Sequence, residues 1–266
     1  MDMSLKIFIK PSRNTIVDRG DILQTYSKKF FEDQITAEGS VKEIIPIILQ
    51  FVNPQSVVDV GCGIGIWLAQ FHKNGIQDFL GIDGDYIDLS LLEIPLENYY
   101  PHDLKKPLSL PRKFDLVISI EVAEHIPIEA AGNFIDTLTN LGDVIVFSAA
   151  VPFQGGTFHV NEQWPAYWIK KFNEKGYDPI DCLRKHIWCN NKISGVYAQN
   201  MFFFVKRQVI NNFPNLQKEY QELSNIQMYM IHPSLYLSKY NQYLFYKTLI
   251  RNPIKLCLHY LNYFLK

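Results

Sequence analysis

The segment VVDVGCGIGIWLAQF, at residues 57–71, constrains the fold more than any other part of the chain. A short apolar run, typical of a buried strand, is followed by Gly61, Gly63 and Gly65 and then by an apolar stretch typical of a helix. Glycines at such a turn allow tight backbone angles and let the main chain approach a ligand closely. The start of the helix offers free N–H groups and the positive end of its dipole. The segment therefore predicts a ligand-binding turn between a strand and a helix.

Three further apolar runs, at 79–83, 114–120 and 143–150, follow at helix-length intervals. Strands that are apolar on both faces and separated in this way are typical of a parallel sheet covered by helices. Two later runs, around Asp181–Trp188 and Asn200–Val205, are separated only by a loop and predict an antiparallel hairpin. We therefore predict an α/β fold: a Rossmann-like, mostly parallel seven-stranded sheet with helices on both faces and an antiparallel C-terminal hairpin.

The length of 266 residues and the hydrophobic content of 47% allow one sizeable core and an appendage. We predict N-terminal lid or packing helices in residues 1–55, where Ile44–Val52 has helical spacing, and a core domain in 56–207. A basic, tyrosine-rich helical appendage is predicted in 208–266. A further helix is predicted over Trp164–Lys175, ending before Gly176.

The charge of the chain is unevenly distributed. The formal net charge is -1, which gives no basic signature of a nucleic-acid partner. After Glu222 there are five basic residues and no acidic one, so the first 222 residues carry -1 minus +5, or -6. Seven of the 15 tyrosines also lie in this tail. The tail could form a helix on an anionic membrane surface, or it could pack on its own core or on a second subunit of an oligomer.

Cysteine usage and hydropathy predict the location of the protein. The four cysteines are far apart, which is typical of reduced thiols in the cytosol. The first ten residues do not form a signal-peptide core, and no apolar run reaches the length of roughly 18 residues that a spanning helix needs. We predict a cytoplasmic protein, with peripheral contact at the inner face of the membrane as an option for the tail.

An acidic residue, Asp83, lies 18 residues beyond Gly65 at the end of the second predicted strand. This spacing is close to that at which an acid binds the two hydroxyls of a ribose, so the ligand is predicted to contain a nucleoside. The dinucleotide fingerprint requires glycine at position 66, where this chain has Ile66. A nicotinamide dehydrogenase is therefore the less favoured interpretation.

Four motifs in this order resemble those of class I S-adenosylmethionine-dependent methyltransferases, over roughly residues 57–151. They are the glycine turn, the ribose-binding acid, HDLKKPL and FDLVISIEVAEH. The resemblance implies S-adenosylmethionine as cofactor, with these residues around it: Asp59, Gly61, Gly63, Gly65, Asp83, Gly84, Asp103, Leu104, Glu121 and Val122.

The same resemblance implies individual roles. Asp103 would accept a hydrogen bond from the adenine amine, and Leu104 would lie against the ring. The segment YSKKFFEDQ is similar to an aromatic segment that precedes the sheet in many family members, so Tyr26 and Gln34 would close over the methionine end.

Two histidines follow the fourth and fifth predicted strands, at the sheet edge where an acceptor should bind. His125 closes the fourth motif, and His159 lies in the polar and aromatic segment GGTFHVNEQWPAYW. Transfer to a hydroxyl needs a base, and histidine is the usual choice. We predict His159 as the general base, with His125 in the catalytic site or orienting the cofactor, and His102 beside the adenine pocket.

The segment around His159 is also the predicted acceptor site. Asn161, Glu162 and Trp164, helped by Gln163 and Trp168, could hold a polyhydroxylated acceptor, because Trp packs on sugar C–H surfaces and the polar groups bind hydroxyls. The two tryptophans could equally be core residues and Asn161 a helix cap. The loop Phe153–Thr157 could be a hinge or an ordinary turn. The histidines show no metal-ligand spacing, so a metal-free reaction is predicted.

The methyltransferase motifs, the HVNEQW segment and the basic tail together resemble methyltransferases of bacterial surface-polysaccharide synthesis. This resemblance implies O-methylation of a sugar or glycan hydroxyl, on an acceptor that could be lipid-linked. Two alternatives stay open: methylation of a small aromatic or lipid-like metabolite, and a binding module that keeps the cofactor fold without turnover.

Overall fold

The computed structural model describes residues 38–221 and 230–251. Within them, seven strands form one sheet in the order β3-β2-β1-β4-β5-β7-β6. The strands are β1 (Ser56–Val60), β2 (Asp78–Asp83), β3 (Tyr99–Pro101), β4 (Leu116–Ile120), β5 (Val144–Ser148), β6 (Tyr177–Ile180) and β7 (Phe202–Lys206). Strand β7 is antiparallel to both of its neighbours, and the other neighbouring pairs are parallel. The predicted fold class is confirmed.

Helices cover both faces of this sheet. The α-helices are α1 (Glu38–Phe51), α2 (Ile66–Lys73), α3 (Ala131–Leu141), α4 (Pro165–Glu174), α5 (Leu183–Ile187), α6 (Gly195–Asn200), α7 (Pro214–Gln221) and α8 (Pro233–Arg251). Short 3-10 helices lie at Leu89–Leu91, Leu96–Asn98, Ala123–His125, Ile128–Ala130 and Arg207–Asn212. The predicted helix over 164–175 is confirmed as α4, and Gly176 follows it with a φ of 82°.

Alternation along the strands divides the core into two layers. Val57 of β1 belongs to the layer that contains side chains of α1, α2, α5, α6 and α7, whereas Val58 belongs to the opposite layer, with side chains of α3 and α4. All five residues of β1 are buried. Burial on both faces explains the continuous apolar runs that predicted the central strands.

The prediction of a strand at Asp181–Trp188 is wrong. The edge strand β6 ends at Ile180, and the apolar run after it forms helix α5, where Leu183 and Ile187 are fully buried one turn apart. Asp181 accepts two hydrogen bonds from the buried Arg184, at 2.8 and 2.6 Å, and this i, i+3 pair closes the first turn of the helix. Strands β6 and β7 are antiparallel neighbours, but helices rather than a loop connect them.

The segments on either side of the predicted core domain pack on the same core. Four apolar residues of α1 are buried against the sheet layer, and Leu216 of α7 is fully buried there too. The predicted division at residues 55 and 207 stays a prediction.

Helix α8 lies at the start of the predicted appendage. The segment before it is held by Gln199, whose side chain donates to Met230 O at 2.6 Å and accepts from His232 N. Most tyrosine and leucine side chains of helix α8 are exposed, among them Tyr236 (62%), Leu237 (53%) and Tyr243 (56%). Among the described residues, no helix combines the length and apolar character that crossing a bilayer requires.

Candidate functional site

The glycine turn follows β1 and leads into α2, as predicted. Gly61, Gly63 and Gly65 have φ values of 89°, 54° and 87°, in the left-handed region that glycine tolerates. A Cβ at Gly61 would lie 2.4 Å from Val122 Cγ2, and one at Gly65 would lie 2.9 Å from Ile94 Cγ1. Both the backbone angles and the close packing therefore require glycine at these two positions.

Two buried carboxylates lie beside the turn. Asp83 accepts hydrogen bonds from Gly63 N at 2.7 Å, from Gly84 N at 2.6 Å and from the Tyr86 hydroxyl at 2.6 Å. Asp59 is 2% exposed, and its Oδ2 has no hydrogen-bond partner in the described part of the chain. Burial first, and the charge of Asp83 second, raise the pKa of Asp59 well above its usual range. A carboxylate without a partner in this position is available to a ligand.

The predicted adenine-contacting residues follow β3 at the same edge of the sheet. Leu104 is buried in the layer that includes Val60 and Ile82. The Asp103 carboxylate accepts from Lys105 N at 3.1 Å and stays partly exposed. His102 donates its backbone N–H to Asp83 O at 2.7 Å. The fold thus brings the segment 102–104 next to the end of β2.

Glu121, directly after β4, is held by residues that the sequence analysis missed. Its carboxylate accepts from Gln154 Nε2 at 2.9 Å and from Asn200 Nδ2 at 3.1 Å, although Asn200 is 79 residues away. Its φ of 55° is unusual for a residue with a side chain, as are those of Phe153 (69°) and Phe158 (58°). Strained backbone concentrates at functional sites, and these three residues lie on the segments that surround His159.

His159 and His125 meet at this edge of the sheet. Their ring centroids are 4.9 Å apart, edge to face. The Nδ1 of His159 lies 2.9 Å from Glu162 Oε1, while its Nε2 lies 4.0 Å from Glu124 Oε1. Burial first, and His159 second, lower the pKa of His125 to about 4.

Glu124 is a third residue that the sequence analysis missed. It is fully buried, and neither of its carboxylate oxygens has a partner with hydrogen-bond geometry within the described residues, although the backbone N–H groups of Glu124 and Ala150 lie near enough to oppose part of the rise in its pKa. Burial and then the neighbouring Glu121 raise its pKa well above the usual range. Its backbone oxygen accepts from Val160 N and Asn161 N, each at 2.9 Å, and so fixes the His159 segment to the turn after β4. Its position directly before His125, inside the fourth motif, was the available signal.

The predicted acceptor residues differ in their exposure and in their hydrogen-bond partners. Asn161 is 3% exposed, and its Nδ2 has no partner among the residues described. Glu162 accepts hydrogen bonds from Phe153 N at 2.7 Å and Gly155 N at 2.6 Å, so it holds the 153–157 loop. Trp164, just before α4, is 43% exposed, whereas Trp168 is a core residue that packs on Phe147. The core alternative is therefore correct for Trp168.

Tyr26 and Gln34, predicted to close over the cofactor, lie outside the described residues. Tail residues 222–229 and 252–266 lie outside them as well.

The fold and the motif geometry together define a methyltransferase domain. A family model described as a methyltransferase domain matches residues 32–178, which is more than half of the chain. The chain belongs to this family, whose cofactor is S-adenosylmethionine. Among curated proteins, none matches the chain significantly.

Solved structures show the same fold at low sequence identity. A putative O-methyltransferase from Nostoc punctiforme is 10% identical, with a TM-score of 0.53, and the match covers 71% of this chain and 61% of that one. An O-methyltransferase family protein from Burkholderia thailandensis is 14% identical, with a TM-score of 0.50, and the match covers 72% and 63% of the two chains. At these identities the likeness shows the fold.

Proposed function

We propose that this chain is an S-adenosylmethionine-dependent O-methyltransferase that acts on a sugar or glycan hydroxyl, with His159 as general base. The observation that carries the proposal is the His159–Glu162 pair, placed at the sheet edge beside the residues of the fourth cofactor motif. An imidazole oriented by a carboxylate is a usual device for accepting a proton.

The residues of the cofactor site fit S-adenosylmethionine. The glycine turn leaves its backbone open to a ligand, and the unpartnered Asp59 oxygen lies beside it. The Asp83 carboxylate, fixed by two backbone N–H groups, still has acceptor capacity for a ribose hydroxyl and could exchange its bond with Tyr86. When bound, the cofactor supplies an electrophilic methyl carbon on a positively charged sulfur.

The geometry gives His159 a defined tautomer. Because Glu162 also accepts two backbone N–H groups, it is held in place as the acceptor for the His159 Nδ1 proton, which leaves the Nε2 lone pair free. Nε2 can then take the proton of an acceptor hydroxyl while the oxygen forms its bond to the methyl carbon and the sulfur keeps the electron pair. Nε2 is the only base in this step, and it later returns the proton to solvent.

The surroundings of His159 favour an acceptor with both polar and apolar surface. The Asn161 Nδ2, which has no partner in the described residues, offers a hydrogen-bond donor, and the exposed Trp164 offers an aromatic face for sugar C–H groups. Phe153 (85% exposed) and Val160 (62% exposed) add apolar surface. These two residues also support the second candidate function, methylation of a small aromatic or lipid-like metabolite, and they fit a lipid-linked sugar.

Helix α8 supports contact with a membrane surface. It exposes tyrosines and leucines beside the half-buried Lys239, and the sequence after Glu222 has no acidic residue. Such a surface suits the boundary between headgroups and acyl chains of an anionic bilayer. Peripheral membrane contact and a cytoplasmic location are parts of the proposal, as is the absence of a nucleic-acid partner. Self-association through α8 is the alternative use of this surface.

The proposed function is tested by methyl transfer from labelled S-adenosylmethionine to sugar nucleotides, lipid-linked sugars and phenolic acceptors. We expect transfer to a sugar hydroxyl, and a loss of about 10²- to 10⁴-fold in kcat for His159→Gln with unchanged affinity for S-adenosylhomocysteine. His72→Gln, which removes an exposed histidine on α2, is the matched control. Transfer only to phenols would favour the second candidate, and full activity of His159→Gln would refute the role of the base.

A further inference from the structure

The turn after β4 and the His159 segment together contain an unusual arrangement of lone pairs. One ligand atom each from Glu124, His125 and His159 lies within 4.8 Å of the other two. Both Glu124 oxygens and the Nδ1 of His125 are buried and have no hydrogen-bond partner in the described residues. Buried polar groups in native proteins are nearly always paired, so a group of them pointing together needs an explanation.

A hydrogen bond between Glu124 and His159 does not explain why these buried groups lie together. His159 Nε2 lies 4.0 Å from Glu124 Oε1, which is beyond hydrogen-bonding distance. Two ligand atoms bound at about 2.1 Å to one metal ion are separated by roughly 3 to 4 Å, depending on the angle between them. The Glu124–His159 distance falls in this range, and the 4.8 Å limit for the whole set means that the side chains would close slightly around an ion.

We propose that Glu124, His125 and His159 bind one divalent transition-metal ion at the edge of the acceptor site. Two imidazoles and one carboxylate are a ligand set for Zn²⁺, Fe²⁺ or a similar ion, rather than for Ca²⁺ or Mg²⁺, which bind mainly oxygen. Three protein ligands leave open positions, as in catalytic metal sites.

Residues around the cluster support this assignment. Glu162 holds the His159 Nδ1 at 2.9 Å and is itself fixed by Phe153 N and Gly155 N, so the Nε2 lone pair is kept towards Glu124. Metal-binding histidines usually have such a carboxylate on the second ring nitrogen. Glu121, by contrast, is occupied by Gln154 and Asn200 and is not a ligand.

The site goes beyond the proposed function: it keeps methyl transfer to a hydroxyl, replaces the role of His159 as base, and rests on that function only for the role of the ion. Both histidines of the cluster are partly exposed, with 12% of the His159 side chain accessible, whereas Glu124 is buried. An acceptor oxygen at an open position would lose its proton more easily, so the ion would take over the activation of the hydroxyl, and His159 would act as a ligand instead of a base. The sequence-based prediction of a metal-free reaction is the opposite hypothesis.

The test is metal binding by the full chain after dialysis against a chelator. Titration with Co²⁺, followed by its visible absorption, and with Zn²⁺, followed by calorimetry, should show one ion per chain. We expect at least 100-fold weaker binding for Glu124→Gln and His159→Asn, and about 10- to 100-fold weaker binding for Glu162→Gln. His72→Asn, at an exposed histidine on α2 remote from the cluster, should bind as the unchanged chain does.

Unchanged affinity for S-adenosylhomocysteine shows that each variant is folded. No binding of either ion to the unchanged chain, or equal binding by Glu124→Gln and His72→Asn, would overturn the metal site. If the chelated protein transfers methyl groups at the full rate with His159 essential, the role of the ion in transfer is refuted and His159 keeps its proposed role as base. If an ion binds but no acceptor is methylated, the metal site stands and the proposed function is refuted.

Discussion

At the residue scale, a buried acid of the cofactor site lowers the stability of the ligand-free fold, because it is kept available to bind the cofactor. Asp59 is fully buried with an unpartnered oxygen, and its pKa is raised well above the usual range by burial and then by Asp83. A carboxyl whose pKa is higher in the folded than in the unfolded chain destabilises the fold increasingly as the pH rises from the unfolded towards the folded pKa. The cost is therefore present at neutral pH and absent in acid.

We predict that Asp59→Asn stabilises the ligand-free protein at neutral pH, by about 1 to 3 kcal/mol, because it removes a buried unpaired charge. The gain should shrink as the pH falls below about 4, the ordinary pKa of Asp in the unfolded chain, because Asp59 becomes protonated in both states there. Urea unfolding at several pH values measures this, and S-adenosylhomocysteine should bind the variant more weakly. A variant that is less stable at neutral pH than in acid, relative to the unchanged protein, would contradict the prediction.

The glycine turn gives a second prediction at this scale. Gly61→Ala should cost about 2 to 4 kcal/mol, since it combines a disfavoured positive φ with a Cβ 2.4 Å from Val122 Cγ2. Gly75→Ala is the matched control, because its φ is 100° and nothing lies within 4 Å of the added Cβ. It should cost only about 1 to 2 kcal/mol. Val122→Ala should rescue part of the loss in Gly61→Ala; equal losses at Gly61 and Gly75 would exclude the packing argument.

The site residues that could be predicted from the sequence are those that lie inside a recognisable motif. The glycines and Asp83 are recognisable because backbone bonds from the turn reach that acid directly, as Gly63 N does at 2.7 Å. Glu124 also lies in a motif, but its importance depends on His159, which is brought to it by folding. Gln154 and Asn200 bind Glu121 across 33 and 79 residues, and no local pattern encodes such contacts.

At the element scale, helix α5 shows why an apolar run can be misread. The run after β6 is short, and strand and helix patterns are indistinguishable at that length. The buried Asp181–Arg184 pair, with Arg184 Nη1 also donating to Gln199 O at 3.1 Å, holds it as a helix against α6. Helix α4 was predictable because its pattern is longer and is followed by Gly176. The central strands were predictable because their apolar runs are continuous and are separated by helix-length segments.

We expect Arg184→Met to destabilise the protein by about 3 to 5 kcal/mol, because it leaves the Asp181 carboxylate buried without its partner. The double variant Asp181→Leu/Arg184→Met should recover much of this loss, since both charges are removed. Denaturant unfolding of the two single variants and the double variant forms a complete cycle. Additive losses would show that the two side chains do not act as a pair.

At the scale of the whole molecule, the chain divides its charge between a negative body and a positive tail. The first 222 residues carry a net -6 and the remainder +5. The described part of the tail, helix α8, is anchored beside α6 and exposes its apolar side chains. This arrangement lets the tail contact an anionic surface while the body is repelled from it.

We predict salt-sensitive binding of the protein to vesicles that contain anionic lipid, and weak binding to neutral vesicles. Lys239→Glu/Lys247→Glu should weaken binding by at least tenfold, because each basic residue near the surface contributes about 1 kcal/mol. Co-sedimentation measures the affinity, and Lys73→Glu on α2 is the control. Equal binding to neutral and anionic vesicles would contradict this use of the tail, and a dimer without vesicle binding would assign α8 to self-association.

The proposed methyl transfer depends on adenosyl-cofactor binding between the glycine turn and the end of β2. Titration calorimetry with S-adenosylhomocysteine measures that most directly. We predict one site per chain, at least tenfold weaker binding for Asp83→Asn, and no change for Asp78→Asn, an exposed acid on the same strand. The absence of heat with well-folded protein, or equal affinity of all three proteins, would contradict the assignment.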